Sequence, residues 1–221
     1  MKKAFFLFLM LVSLSTFGHI IPHIQTESVP FSVWQIIVAY LKLGFSHVIP
    51  LGFDHILFIL GIFFLNANVK SVIIQCSVFT IAHTITLGLT ASGYIVPIAN
   101  IVEPITALSI AFVALENLFH QELKIWRIGL VFLFGLVHGM GFALAIKEIG
   151  LPQNYFLGAL VSFNIGVELA QILIIFLAYF LLVKWVKNKI WYRKIIVIPI
   201  SIAISCIAIY WVFERVFINW T

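Results

Sequence analysis

Asp54 and His55 stand side by side in VIPLGFDHILFILGIFFL (residues 48–65), a run that is otherwise apolar and long enough to cross a bilayer. An ionisable group at that depth is costly unless it is paired or used, so the two residues mark a functional position. They have company. His83, Glu103, Glu116, His138 and Glu168 all fall inside other apolar runs. Three carboxylates (Asp54, Glu103, Glu168) and three imidazoles (His55, His83, His138) are too costly to bury together unless they pair with one another or bind a cation. Imidazole with carboxylate is a donor set for Ni²⁺, Co²⁺, Zn²⁺, Fe²⁺ or Mn²⁺. Mg²⁺ and Ca²⁺ favour oxygen alone. Cu⁺ would want soft sulfur, and the chain holds only three Met. No Walker-type phosphate loop is present, so nothing points to ATP-driven pumping. Two chemistries remain, beside a third reading as an accessory subunit that hands metal or protons to a partner. One is a secondary carrier or permease for a divalent metal. The other is an intramembrane hydrolase, in which Zn²⁺ activates water against a lipid-like substrate.

The spacing of these residues sets what the helices must do. His47 precedes Asp54 by seven residues and shares its face if the segment is helical, but Pro50 and Gly52 can break it and free carbonyl groups. His83 lies among Thr80, Thr84 and Thr86, with Cys76 on the same face as a small apolar filler. Glu103 and Asn117 are two heptads apart on one face, whereas Glu116 points elsewhere, near a helix end. His138 sits between Gly135, Gly139 and Gly141, where another helix or a ligand can come close. Asn164, Glu168 and Gln171 form one polar stripe. The expected metal set is therefore His47, Asp54, His55, His83, Glu103, His138 and Glu168. Glu116, Asn117, Asn164 and Gln171 are expected to line a pathway or support the ligands. The last apolar run, with Ser201, Ser205 and Cys206, holds no ionisable group in its interior and is expected to stand aside.

The elements that carry these groups follow from composition. The 221 residues are 63% hydrophobic and 10% charged, against about 25% charged in soluble domains. The prediction is an all-α polytopic membrane bundle. Residues 1–18 read as a signal peptide, with Lys2 and Lys3 before an apolar stretch and small residues at Thr16 and Gly18. Residues 19–46, with His19 and His23, read as an extracytoplasmic segment carrying an interfacial helix. Residues 47–221 then supply six spans, at about 47–66, 70–92, 96–119, 125–146, 154–183 and 194–214. With residue 19 outside, the inner loops hold Lys70, Lys124, Arg127, Lys184, Lys187, Lys189, Arg193 and Lys194, and the outer segments hold Lys42, Lys147 and Arg215. That bias orients the bundle. It also reads the basic loop KWVKNKIWYRK (184–194) as a topology signal rather than a nucleic-acid patch. Cys76 and Cys206 lie in apolar runs, so no disulfide framework is expected.

The chain resembles the HupE/UreJ family of membrane proteins. The resemblance rests on HVIPLGFDH from His47 to His55, FTIAHTITL around His83, VEPITALSIAFVALEN from Val102 to Asn117, FGLVHGMGFA around His138 and FNIGVELAQ around Glu168. These blocks follow in order over about residues 47–171. The resemblance implies a nickel, or cobalt, permease; its expected place is a bacterial inner membrane, with the mature N-terminus outside as the charge bias and the signal segment orient it. It also implies association with hydrogenase or urease maturation proteins. One departure stands out. The better-known branch carries a helix of the form FHGxAHGxE, whereas this chain keeps only His138 there, with Leu136 and Phe142 nearby. It is similar to the second branch of the family.

Overall fold

A computed structural model describes residues 32–149 and 151–218, with the side chains of 143–149 and 218 excepted. The signal segment, His19 and His23 lie outside the described residues. The described chain is helical throughout: α1 Val33–Val48, α2 Phe53–Phe63, α3 Val69–Ala91, α4 Ala99–Phe119, α5 Ile125–Ile149, α6 Phe156–Ala178 and α7 Ile198–Phe213. Local chemistry sets several ends. Ser32 and Gln35 form a reciprocal capping box that starts α1. The Asn68 side chain accepts from the Ser71 amide to start α3. Single π-turns extend α6 to Val183 and α7 to Ile218, and another leads into α7 from Arg193.

Five helical segments are long and apolar enough to cross a membrane, and α1 with α2 makes a sixth if the bent pair counts as one span. Outward-facing stripes fit this reading. Ile101, Ile105, Leu108, Phe112 and Leu115 repeat every three or four residues along α4 and are all exposed, which only a lipid-facing surface tolerates at this extent. The protein is a polytopic helical membrane protein.

The first crossing differs from the sequence expectation. Residues 47–66 are not one helix. The chain bends by 68° between α1 and α2, across Ile49–Gly52, where the Ile49–Pro50 peptide is cis. His47 belongs to the helix before the bend, and Asp54 and His55 belong to the helix after it. The stretch expected to carry an interfacial helix forms α1, which packs lengthwise on α6. α2 has 11 residues, about 16 Å of helix, or half the hydrocarbon core. Beyond Asp54 and His55 its sequence is apolar on every side, which is the pattern of a helix buried all round. It touches α1, α3, α4, α6 and α7, and Phe58, Ile59, Ile62 and Phe63 are fully buried. The helix that carries Asp54 and His55 is thus the hub of the bundle.

Small residues let its neighbours close around it. A Cβ on Gly44 would overlap the Phe163 carbonyl, and one on Gly166 the Leu41 carbonyl, so α1 and α6 run in backbone contact. Gly135 and Gly139 do the same for α5 against Phe79 and His83 of α3.

Candidate metal centre

The bend aims α1 and α2 at one point. His47, ending α1, and His55, starting α2, meet with ring centroids 4.6 Å apart. His83 of α3 lies 6.0 Å from His55, and His138 of α5 lies 5.3 Å from it. Ligand atoms of His47, His55 and His83 lie within 4.8 Å of one another, and so do those of Asp54, His55 and His138. The centre is therefore two triads that share His55. An ion with bonds of about 2 Å needs only a small contraction of either triad.

Hydrogen bonds fix which ring nitrogen each imidazole offers. His55 Nδ1 lies 3.0 Å from Asp54 Oδ1, and a carboxylate accepts, so Nδ1 carries the proton. Asn164 donates its amide N–H to the Leu160 carbonyl at 2.8 Å, which turns its oxygen toward His83 Nδ1 at 3.3 Å. His83 Nδ1 is then the donor. Ser109 has one hydroxyl proton, and the Thr106 carbonyl at 2.6 Å takes it. The Ser109 oxygen, 2.9 Å from His138 Nε2, therefore accepts from that ring. The free nitrogens that result are His55 Nε2, His83 Nε2 and His138 Nδ1. All three are buried without a hydrogen-bond partner, as is His47 Nε2. A buried polar atom without a partner is uncommon and calls for a cause. Four unpartnered imidazole nitrogens, three of them with the other nitrogen held by an oxygen, match how metal-binding histidines are oriented by the groups behind them.

A cavity of about 200 Å³ opens on this cluster, lined by His47, Asp54, His55, Glu103, Thr106, His138, Gly141, Phe142 and Arg215. Asp54 keeps 28% of its side chain exposed and marks the open side. Phe142 packs against His47, its ring tilted by 40°, with centroids 3.7 Å apart. On the other side, Phe58 and Phe79 pack under His138 at 5.2 and 5.0 Å and close the cluster toward the opposite end of the bundle.

The other sequence candidates separate. Glu103 lines the cavity but belongs to neither triad. Glu168 lies outside both triads, where it accepts a 2.7 Å hydrogen bond from Ser77. Gln171 accepts from Thr80, and Asn164 orients His83. Glu116 and Asn117 form a second polar layer at the far end of α4. Asn117 donates to the Gly61 carbonyl and to Ser201. Glu116 lies 2.8 Å from Arg127, which is 1% exposed.

Three positions depart from the sequence reading. Arg127, counted among loop charges, is buried in that ion pair. Arg215, also counted in a loop, reaches the cavity and donates to the Glu103 carbonyl at 2.9 Å. α7 does not stand aside. It packs along α4, supplies Ser201 to Asn117, and its end delivers Arg215. Ser109 and Thr106 were missed because hydroxyls are common in membrane helices, although Thr106 stands three residues beyond Glu103, on the same side of α4.

Ordered imidazoles and a carboxylate on these helices invite comparison with known families. The family model described as HupE / UreJ protein matches residues 23–215. The chain belongs to the HupE/UreJ family. The match spans every helix that builds the centre, from α1 to the Arg215 turn, so the HupE/UreJ membership covers the site as well as the fold. No curated protein and no solved structure matches the chain.

Proposed function

We propose that this HupE/UreJ protein is a secondary permease for a divalent transition metal, nickel or cobalt, bound in transit by the histidine centre. The observation that carries the reading is the set of four buried, unpartnered imidazole nitrogens on histidines that cluster beside Asp54. Neutral imidazoles offer lone pairs that a borderline cation takes in preference to Mg²⁺ or Ca²⁺. The anionic carboxylate offsets part of the dehydration of the ion. With the mature N-terminus outside an inner membrane, the cavity opens outward, and the ion enters past Asp54 and Glu103. The exit then lies beyond the phenylalanines at the level of Glu116 and Asn117, where Glu116 must part from Arg127. The family implies delivery to metalloenzyme maturation proteins on the inner side.

The test is calorimetry of Ni²⁺ and Co²⁺ binding to purified protein, paired with uptake into proteoliposomes. Asp54→Asn and His138→Gln should each weaken binding and abolish uptake. Unchanged binding in both variants would end the metal-site reading. Binding without uptake, together with hydrolysis of a lipid by the Zn²⁺-loaded protein, would establish the enzyme instead.

A further inference from the structure

A guanidinium in the wall of a cation cavity needs a reason. Arg215 is not a loose surface charge. It donates to the Glu103 carbonyl at 2.9 Å, and its guanidinium lies over the Trp211 ring at 5.6 Å. Trp211 is itself buried and braced by Phe53. Among the described residues the two ion pairs are Asp54–His55 and Glu116–Arg127, so neither Asp54 nor Glu103 is ion-paired with Arg215. Its charge faces the cavity beside the ligands without being cancelled at close range.

The formal charges of the cavity wall are those of Asp54, Glu103 and Arg215, a net of one negative with the imidazoles neutral. A bare divalent ion would leave the filled site one unit positive. A divalent ion that carries one carboxylate ligand would leave it neutral, the state a low-dielectric interior favours. The space agrees. About 200 Å³ is far more than the ~10–15 Å³ that a single water needs, and well beyond one ion. Gly141 leaves part of that room, since a Cβ there would meet only Val102 and Thr106 at ordinary contact distance. Water molecules could fill the space, but they would leave the filled site one unit positive. A carboxylate removes that charge, and the guanidinium fork matches its geometry.

We propose that the cargo is a metal complex rather than a naked ion: a divalent transition metal chelated by a small amino-carboxylate of single negative charge. The histidines hold the metal and Arg215 holds the carboxylate of its ligand. This rests on the permease reading above and adds the chemical form of its substrate.

Glycine is the probe, as the smallest bidentate amino-carboxylate. Full-length protein in nanodiscs is titrated with Ni²⁺ alone and with the 1:1 Ni²⁺–glycine complex, and retention of radiolabelled glycine is measured with and without Ni²⁺. The expected result is that glycine is retained only with Ni²⁺, one per metal, and that the complex binds more tightly than the bare ion. Arg215→Gln should lower glycine retention about tenfold or more. The same variant should tighten binding of Ni²⁺ alone, since a repelling charge is gone. Gly141→Val, which fills the cavity, should also expel glycine, and it serves if Arg215→Gln fails to fold. Should glycine merely compete, weakening Ni²⁺ binding in proportion to the free ion it removes, with no label retained, the inference is overturned and the permease reading stands. Absence of Ni²⁺ and Co²⁺ binding under every condition would overturn both.

Discussion

The bundle holds two polar layers whose deficits are opposite. At the histidine centre the unpartnered atoms are lone pairs: Nε2 of His47, His55 and His83, and Nδ1 of His138. At the Glu116–Arg127 layer, the Nε and Nη2 donors of the guanidinium lack partners among the described residues, and its Nη1 touches Glu116 without hydrogen-bond alignment. The first layer offers lone pairs that a cation can take. In the second, a cation supplied by the chain already contacts the carboxylate. Asp54 and Glu116 both fall in apolar runs, and sequence reading set Glu116 apart only as a pathway or supporting residue near a helix end. The difference lies in what each carboxylate faces: Asp54 opens onto a cavity, whereas Glu116 is closed in by an arginine.

Breaking the self-supplied pair should give the largest effect. Arg127→Met leaves Glu116 buried alone, at a cost of about 3–5 kcal/mol. Unfolding in mixed micelles with increasing SDS should show that loss, and the double variant Glu116→Gln/Arg127→Met should restore most of it. A single variant as stable as the native chain would mean that the two layers do not differ in this way. The histidine layer should answer in binding instead. Asn164→Ala removes the oxygen that orients His83 and should lower Ni²⁺ affinity about 10–100-fold, read by calorimetry, with a smaller change in unfolding. A loss of fold without a loss of affinity would reverse the contrast. The smallest effect is expected at Glu168→Gln. Its hydrogen bond from Ser77 lies outside both triads, so Ni²⁺ affinity should change by less than about 1 kcal/mol. A large loss there would enlarge the centre to include α6.

Much of this was legible beforehand. Hydropathy located the crossings from α3 to α7 within a few residues, because each is a long apolar run between polar loops. The histidines and Asp54 were conspicuous for the same reason, being costly where they stand. What hydropathy could not convey is which apolar run is surrounded. α2 reads like its neighbours in composition, yet it is the central helix, and that follows from packing by α1, α3, α4, α6 and α7. Arg127 and Arg215 were counted as loop charges because both sit next to helix ends. Only tertiary contact shows that one is buried against Glu116 and the other turned into the cavity. Glu168 looked like a ligand by type and depth, but a ligand must also face the shared space, and its helix turns it to Ser77.

On the permease reading, the bend between α1 and α2 also bears on how firmly an ion is gripped. His47 is fixed to the rod formed by α1 and α6, through Gly44 and Gly166. Asp54 and His55 are fixed to α2, which leans mainly on α4. The chelating atoms are thus mounted on both sides of a joint rather than on one frame. Opening that angle would draw His47 away from His55 and reduce the denticity of the centre without any side chain changing its rotamer. A chelated ion that loses one arm also loses the local concentration that kept the arm rebinding, so it departs much faster. The angle of the backbone would then set the residence time of the metal, and the same histidines could hold tightly in one posture and let go in the next.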